Sequence, residues 1–272
     1  MSLKIGILKG GSKIITDLFD FTSADEWNGV FETVKCRRAL SPSGLPDIDY
    51  ALNPYGGCEH GCIYCYAPEV THTDWKEWRI VRVRSNIAER LAKELVNLRG
   101  TVGIGTVTDP YQYAEKRFML TRHSLEVLKA AKMRIHIHTK SDLILRDIDI
   151  ISKMDGEVGI TITTLDDNIS HITEPGAPIP TKRLQALKKL TDAGIDTYAL
   201  VGPVLRSLEG VEEEFVAAIV STGTKRMCID RLNMRPILSQ RLERMNLEGS
   251  DKALEKIRRL AEASGLKVTD VF

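Results

Sequence analysis

The stretch TVGIGTVTDPYQYAEKRFMLTRHSLEVLKAAKMRIHIHT, residues 101–139, contains two strand patterns separated by one helix pattern. Apolar residues recur through Thr101–Val107 and alternate along Arg134–Thr139, whereas Leu125 and Leu128 have the spacing of one helix face. Two strands joined by a single helix run parallel, because the crossover helix returns the chain to the same sheet. The stretch therefore predicts a β–α–β unit.

The same rhythm continues on both sides of this unit. Further strands are predicted at Asp49–Asn53, Val158–Thr164, Asp196–Val201 and Met227–Leu232. Helix starts are predicted at the caps Ser85, Thr121 and Thr181, and helix ends at Gly100 and Gly194. Five or six such units predict an α/β fold, either a doubly wound sheet or a full or partial barrel. In each of these folds, ligands bind at the carboxyl ends of the strands.

Composition excludes several classes of protein. The 272 residues carry 38 Lys and Arg against 37 Asp and Glu, a formal net charge of +1, which argues against binding a polyanion through bulk charge. The hydrophobic share of 43% argues against wholesale disorder. Mean hydropathy is −0.15 and no long apolar run occurs, so no membrane span or membrane partner is expected. The first 20 residues do not have a signal-peptide pattern, and a cytoplasmic location is expected.

Three regions are expected along the chain. Residues 1–47 contain several glycines and prolines and predict an irregular N-terminal extension. Residues 48–240 contain the α/β units. Residues 241–272 predict a helix at Asp251–Ser264 and a short strand at Leu266–Val271, which pack on the main domain.

The strongest chemical signal is NPYGGCEHGCIYCYA, Asn53–Ala67, which contains Cys58, Cys62 and Cys65 in a C-x3-C-x2-C pattern. Three thiolates on one short loop can bind three irons of a [4Fe–4S] cluster and leave the fourth iron open to another ligand. Electron-transfer clusters normally take four cysteines. The other interpretation of this pattern is a structural zinc site with His60 as fourth ligand, for which so short a loop has poor geometry.

The motif, with Tyr64 before its third cysteine, resembles the radical S-adenosylmethionine (SAM) superfamily. The wider stretch is similar to the branch of spore photoproduct lyase and DNA-repair-photolyase-like proteins. The resemblance implies a partial (β/α)6 TIM-like barrel and an oxygen-sensitive enzyme. It implies that SAM chelates the unique iron, and that a reduced cluster cleaves it to a 5′-deoxyadenosyl radical that abstracts hydrogen from substrate. A ferredoxin or flavodoxin would supply the electron.

The resemblance also implies SAM contacts at strand ends. Many members have a Gly-Gly-Glu-Pro stretch where this chain has Thr108 and Asp109, which are the expected local substitute. The other expected contacts are Tyr64, Ser141, Thr161, Thr163, Glu174, Arg183 and Gly202. Tyr111, Gln112 and Glu115 would face substrate. Turn chemistry for Asp109 and an exposed ion pair for Glu174 and Arg183 are the alternatives.

Two further patterns leave their roles open. His136 and His138 share one face of a predicted strand with Lys140, either as a buried pair or as part of a site. Cys36 and Cys228 are isolated in the sequence and cannot form a second cluster alone.

The substrate is not assigned from the sequence. A nucleic acid, a protein side chain and a small metabolite are all compatible with the motif. Spore photoproduct lyase uses a further cysteine as hydrogen donor, and the corresponding strand end here has Thr106, Val107 and Thr108, so thymine-dimer repair is not assigned. The alternative in another class is a non-catalytic, zinc-stabilised nucleic-acid-binding or adaptor protein.

Overall fold

The computed structural model describes residues 31–271 and, before them, only the backbone of two short strands. The other residues of the expected N-terminal extension lie outside the described residues. The strands are β1 (Ile5–Ile7), β2 (Lys13–Ile15), β3 (Phe31–Val34), β4 (Leu40–Pro42), β5 (Tyr50–Leu52), β6 (Tyr55–Gly56), β7 (Val81–Arg84), β8 (Thr101–Ile104), β9 (Arg134–Thr139), β10 (Gly156–Thr161), β11 (Asp196–Val201), β12 (Arg226–Ile229) and β13 (Lys267–Asp270).

The larger sheet has eight strands in the order β13-β12-β11-β10-β9-β8-β5-β4. All neighbouring pairs from β13 to β5 are parallel, and β4 pairs antiparallel with β5 at the edge. Among the described strands, no ladder joins β13 to β4. The fold is therefore mixed α/β with a mostly parallel sheet, as the strand–helix alternation predicts.

The smaller sheet has the order β1-β2-β3-β7-β6. It supports the start of the cysteine motif, because β6 pairs with β7 at Tyr55 and Gly56. The expectation of an irregular segment up to residue 47 is wrong for β3 and β4. The glycines and prolines of this region predicted turns, and strands of three or four residues are too short to give a clear alternating pattern between them.

The helices are α1 (Ala67–Val70), α2 (Trp75–Trp78), α3 (Ile87–Glu94), α4 (Tyr113–Phe118), α5 (Leu120–Ala130), α6 (Ile148–Ile151), α7 (Asp167–Thr173), α8 (Pro180–Asp192), α9 (Glu212–Val220), α10 (Pro236–Met245) and α11 (Asp251–Ala263). Short 3₁₀ turns cover Asp142–Asp147 and Arg206–Leu208. The longest helices found in the described residues have 13 residues, well short of the roughly 20 that cross a bilayer.

Three predicted helix caps are wrong. The Ser85 hydroxyl donates to the Val34 carbonyl rather than accepting from the start of α3. Thr121 lies inside α5, and its hydroxyl donates to the Pro110 carbonyl at 2.5 Å. Helix α8 begins at Pro180, one residue before Thr181, because proline suits the first turn.

The two faces of β9 have different surroundings. Ile135 and Ile137 are buried in the main apolar core with Leu125 and Leu128 of α5. The other face carries the half-buried His136 and His138. The helices therefore cover one face of this strand with apolar side chains, while the polar residues lie on the opposite face.

Candidate active site

The cysteine loop, residues 57–66, follows β6 beside the carboxyl end of β5. Cys58 and Cys62 are buried, and Cys65 is half-buried. Burial raises the pKa of the Cys62 thiol to about 12. Burial also raises the pKa of Cys58 and of Cys65, and the neighbouring thiols are close enough to add to the effect on Cys58. The three thiols therefore share one enclosed space, where their thiolate forms need a nearby cation.

Backbone contacts fix the shape of this loop. The Cys58 amide donates to the Trp78 carbonyl at 3.0 Å, and the Cys65 amide donates to the Cys62 carbonyl at 3.0 Å. Gly57 has φ +79°, and a Cβ there would lie 2.5 Å from the Trp78 carbonyl oxygen. Glycine is therefore required at position 57, where the backbone of the cysteine loop passes close to Trp78.

Arg241 of α10 holds the other side of the cysteine loop. Its Nε donates to the Ile63 carbonyl at 2.7 Å, and its Nη2 donates to the Cys65 carbonyl at 2.5 Å. Its guanidinium lies 3.6 Å from the centre of the Trp75 ring. No sequence signal connects Arg241 to the cysteines, which lie more than 170 positions away.

A second segment is joined to the cysteine loop, and we call this junction the loop clasp. The Ile63 amide donates to the Thr173 carbonyl at 2.9 Å, and the Gly176 amide donates to the His60 carbonyl at 2.9 Å. A Cβ at Gly176 would lie 2.1 Å from the Glu59 carbonyl oxygen. The clasp places residue 174 beside the thiols.

Glu174 is the centre of a buried network of side chains. The Tyr64 hydroxyl donates to Glu174 Oε1, and the Thr163 hydroxyl donates to the same oxygen at 3.0 Å. Arg183 Nη1 lies 2.5 Å from Glu174 Oε2, and both side chains are fully buried. Lys140 Nζ lies 3.9 Å from Glu174 Oε1. These five residues, the Glu174 network, come from five separate segments of the chain.

The charges in the Glu174 network stabilise one another. Burial opposes the charged form of Glu174, but Arg183 and Lys140 outweigh burial and hold the pKa of this carboxyl below its ordinary value. Burial likewise opposes the charge on Lys140, yet Cys62 and Glu174 leave its pKa above the ordinary value. The network is therefore ionised, with two cations facing one carboxylate.

Arg183 is fixed by neutral acceptors as well. Its Nε donates to the Pro178 carbonyl at 2.6 Å, and its Nη2 donates to the Ser170 hydroxyl at 3.2 Å. Its Nη1 also lies 3.4 Å from the Thr161 carbonyl, so Thr161 contributes its backbone here. These contacts fix the orientation of the guanidinium, and its positive charge lies beside the Glu174 carboxylate.

Asp109 joins the cysteine loop to the end of β9. Its carboxylate accepts from the Tyr111 amide at 2.9 Å, the Thr139 hydroxyl at 2.7 Å and the Lys140 amide at 2.8 Å. Its Oδ2 lies 3.3 Å from His60 Nδ1. The carboxylate holds the backbone of Lys140, and through it the position of that ammonium group.

The remaining predicted contacts lie at the same edge of the sheet. The Thr108 hydroxyl donates to the Tyr55 carbonyl at 3.3 Å. The Ser141 hydroxyl accepts from the Leu143 amide at 3.2 Å, which caps the following 3₁₀ turn. Gly202 directly follows β11. The structure thus gathers the predicted residues at one end of the sheet, and the hydroxyls of Thr108 and Ser141 already have protein partners.

The sequence predicts that Tyr111, Gln112 and Glu115 face substrate. In the structure, all three side chains are buried. Gln112 Oε1 accepts from the Glu59 amide at 2.8 Å, and its Nε2 donates to the Gly57 carbonyl at 3.2 Å. Glu59 Oε2 in turn accepts from the Ala114 amide at 2.6 Å at the start of α4. The side chains of Gln112 and Glu59 therefore hold the cysteine loop against α4. No sequence pattern pointed to Glu59.

The geometry does not favour a single-ion zinc site. Among residues 31–271, no three His, Cys, Asp or Glu side chains converge as ligands of one metal ion. The three thiols and His60 therefore do not form the tetrahedral set of ligands that the zinc interpretation requires.

The fold is similar to that of solved radical SAM enzymes. A spore photoproduct lyase variant matches with a TM-score of 0.70 at 17% identity, covering 89% of this chain and 82% of that one. Another variant of that lyase, with bound AdoMet and dinucleoside spore photoproduct, matches with a TM-score of 0.67 at 17% identity, covering 88% and 81%. At this identity, the likeness shows the fold alone.

Sequence comparison identifies the family. An uncharacterized protein of Methanocaldococcus jannaschii is 34% identical over 184 residues, which are 66% of this chain and 69% of that protein. The family model of the Radical SAM superfamily matches residues 52–214, which include the cysteine loop, the Glu174 network and Asp109. The chain therefore belongs to the radical SAM superfamily.

Proposed function

We propose that this radical SAM enzyme binds a [4Fe–4S] cluster through Cys58, Cys62 and Cys65, and that the Glu174 network receives SAM beside it. The observation that carries the proposal is the position of three buried or half-buried thiols beside an ionised carboxylate, with one buried and one half-buried cation around it. When bound, the reduced cluster and SAM supply a 5′-deoxyadenosyl radical that abstracts hydrogen from a substrate.

The thiols fit such a cluster. Their raised pKa values mean that, without metal, they hold protons, whereas iron would bind them as thiolates. A loop with three thiols binds three of four irons and leaves one iron for SAM. Gly57, Trp78 and Arg241 hold the loop backbone in place without using a thiol.

The Glu174 network fits the methionyl group of SAM. That group carries an ammonium and a carboxylate, and the network offers one acceptor carboxylate with two cationic donors. Thr163 and Tyr64 orient Glu174 through its Oε1. We propose the remaining contacts at Thr108, Asp109, Ser141, Thr161 and Gly202, with Asp109 acting by holding Lys140 and His60.

Helix α10 excludes water from this site. Leu238 and Leu242 pack against Cys62 and Tyr64 in one apolar cluster. We propose that the parallel sheet forms the wall of a partial (β/α)6 barrel, with 1–47 and 241–272 as extensions. In such a fold, the substrate binds at the carboxyl ends of the strands, where the cysteine loop and the Glu174 network lie. A covered, water-poor site protects a radical from side reactions.

The substrate is proposed only by class. A nucleic acid, a protein side chain and a small metabolite all remain candidates. The strand end near Thr106 has no cysteine to serve as hydrogen donor, so this chain is not proposed to repair thymine lesions. Incubation with SAM and deuterated candidate substrates, followed by mass analysis of the 5′-deoxyadenosine formed, identifies the molecule that gives up hydrogen.

Anaerobic reconstitution tests the cofactor proposal. The wild-type chain is expected to bind about four irons with broad visible absorbance. With dithionite, or with a ferredoxin or flavodoxin as electron donor, it should form 5′-deoxyadenosine from SAM. The alternative, a zinc-stabilised adaptor, would bind one zinc and remain colourless.

The matched variants are Cys62→Ala and Cys36→Ala. Cys62→Ala is expected to abolish 5′-deoxyadenosine formation, because it removes one of three cluster ligands. Cys36 lies outside the cysteine loop, with its thiol 3.4 Å from Asn86 Oδ1, so Cys36→Ala should retain wild-type rates. Cleavage of SAM at the wild-type rate by Cys62→Ala would contradict the proposal.

A further inference from the structure

Two histidines and a tyrosine converge on the polar face of the main sheet, away from the cysteine loop. His136 Nε2 lies 3.0 Å from His138 Nε2 and 2.7 Å from the Tyr198 hydroxyl. The histidines belong to β9 and the tyrosine to β11, with β10 between them. Two further atoms that can bind metals therefore lie within 3.0 Å of His136 Nε2.

Gly159 of β10 makes this convergence possible. It pairs with His138 on one side and with Tyr198 on the other. Strands two places apart are separated by about 10 Å, so the tyrosine must lean across β10 to reach His136. A Cβ at Gly159 would lie 2.3 Å from the Tyr198 ring, and glycine leaves the path open.

One ring nitrogen, His136 Nε2, is shared between two hydrogen-bond partners. An imidazole nitrogen carries either one proton or one lone pair, and so makes one full hydrogen bond. His136 Nε2 faces both the His138 nitrogen and the Tyr198 oxygen at hydrogen-bond distance. A cation between the three atoms would satisfy all of them at once.

Glu157 sets the orientation of His136. Its Oε1 lies 3.3 Å from His136 Nδ1, while its Oε2 lies 2.5 Å from Arg226 Nη2. A carboxylate behind one ring nitrogen directs the lone pair of the other nitrogen outward, as behind metal-bound histidines.

We propose that His136 Nε2, His138 Nε2 and Tyr198 Oη bind one late first-row divalent cation, such as Zn²⁺ or Co²⁺, in a site distinct from the cysteine cluster. Two nitrogens and one oxygen suit such ions. Ligand atoms around a tetrahedral ion lie about 3.3 Å apart. The two distances from His136 Nε2, 2.7 and 3.0 Å, are shorter, so the side chains would separate slightly around a cation. Three protein ligands leave a fourth position for water or a substrate oxygen.

Cobalt binding tests this site without reference to the cluster. The full chain with Cys58, Cys62 and Cys65 all changed to alanine is titrated with Co²⁺ alone. One Co²⁺ per chain should bind, with visible d–d bands and no thiolate charge-transfer band. His138→Gln in this background should weaken binding at least about 100-fold, and Glu157→Gln about 10- to 100-fold.

Two further variants keep the test decisive if a histidine variant fails to fold. Tyr198→Phe removes one oxygen ligand and should shift the d–d bands. Gly159→Ala should weaken binding by displacing the tyrosine ring, whereas Gly44→Ala, where a Cβ meets no atom within 4 Å, should not. Absence of Co²⁺ binding, thiolate bands, or equal affinity in folded His138→Gln or Tyr198→Phe would overturn the proposal.

Discussion

Two buried glutamates in this protein have similar partners but different surroundings. Glu115 and Glu174 are both fully buried, and each accepts a hydrogen bond from a tyrosine hydroxyl, that of Tyr55 or that of Tyr64. Each also pairs with an arginine, and Arg146 lies 2.6 Å from Glu115. By residue type alone, the two arrangements look equivalent.

Their remaining contacts separate them. Glu115 also accepts from the backbone amides of Thr121 at 2.9 Å and Arg122 at 3.2 Å, and so caps the start of α5. Among residues 31–271, the partners of the Glu174 carboxylate are side chains, and Lys140 is one of its neighbours. A carboxylate bonded to backbone amides holds the fold together. A carboxylate bonded to side chains can exchange a partner for a ligand, which supports the proposal that Glu174, rather than Glu115, binds SAM.

The largest expected effect is on the free energy of unfolding of Glu174→Gln. This change leaves the buried Arg183 without its carboxylate and should destabilise the fold by about 3–5 kcal/mol. Glu115→Gln should cost less, about 1–3 kcal/mol, because Arg146 retains Asp147 at 2.8 Å. Urea unfolding of the two variants measures the difference, and an equal or reversed order would refute the comparison.

A third buried carboxyl, Glu59, has no ion-pair partner within 4 Å among the described residues. Burial raises its pKa from 4.5 to about 7. As the pH rises, Glu59 loses its proton in the unfolded chain near pH 4.5 but keeps it in the folded chain until about pH 7. The free energy of unfolding therefore falls as the pH rises from about 4.5 to 7. Glu59→Gln should remove this dependence, a difference of about 2–3 kcal/mol across the window.

Denaturant unfolding at several pH values checks this expectation. Glu255→Gln is the control, because that side chain is exposed on α11. If wild type and Glu59→Gln lose stability in parallel between pH 4.5 and 7, the buried carboxyl is not the cause.

The smallest expected effect is a difference in SAM affinity between Tyr64→Phe and Tyr55→Phe. Tyr64→Phe removes a donor to the proposed SAM-binding carboxylate, and a hydrogen bond to a charged group contributes about 1.5–3 kcal/mol. SAM affinity should fall at least about tenfold. Tyr55→Phe should leave SAM affinity within about twofold while lowering stability.

The rise in melting temperature on adding SAM measures both affinities. Similar ligand-induced shifts for Tyr64→Phe and wild type would place SAM away from the Glu174 network. A smaller SAM-induced rise in melting temperature for Tyr55→Phe than for wild type would mean that Glu115, like Glu174, affects SAM binding, which would contradict the comparison.

Local patterns predicted the sheet well. The bounds of β9 and β11 agree with the predicted strands, because apolar residues alternate along β9 and form a short continuous run in β11. β8 ends at Ile104 rather than at residue 107, since Gly105 turns at φ +87° and a Cβ there would lie 2.4 Å from the His138 carbonyl oxygen. An apolar run does not reveal such a close backbone approach.

Contacts between distant segments could not be predicted. Thr121 has the residue type of a cap, but the amides at the start of α5 are bonded by Glu115. Tyr64 and Glu174 were both expected near SAM through the resemblance, yet their mutual hydrogen bond spans 110 positions and has no sequence signature. Both cases depend on side chains brought together by folding.

The loop clasp couples metal binding to the integrity of the carboxylate site. Because main-chain bonds join Ile63 to Thr173 and His60 to Gly176, a displacement of the thiols transmits to Glu174. Oxidative damage at a cysteine is then expected to weaken SAM binding at the proposed site even before the chain unfolds. The lack of a side chain at Gly176 also fixes the spacing of the two segments, because a Cβ there would lie 2.1 Å from the Glu59 carbonyl oxygen.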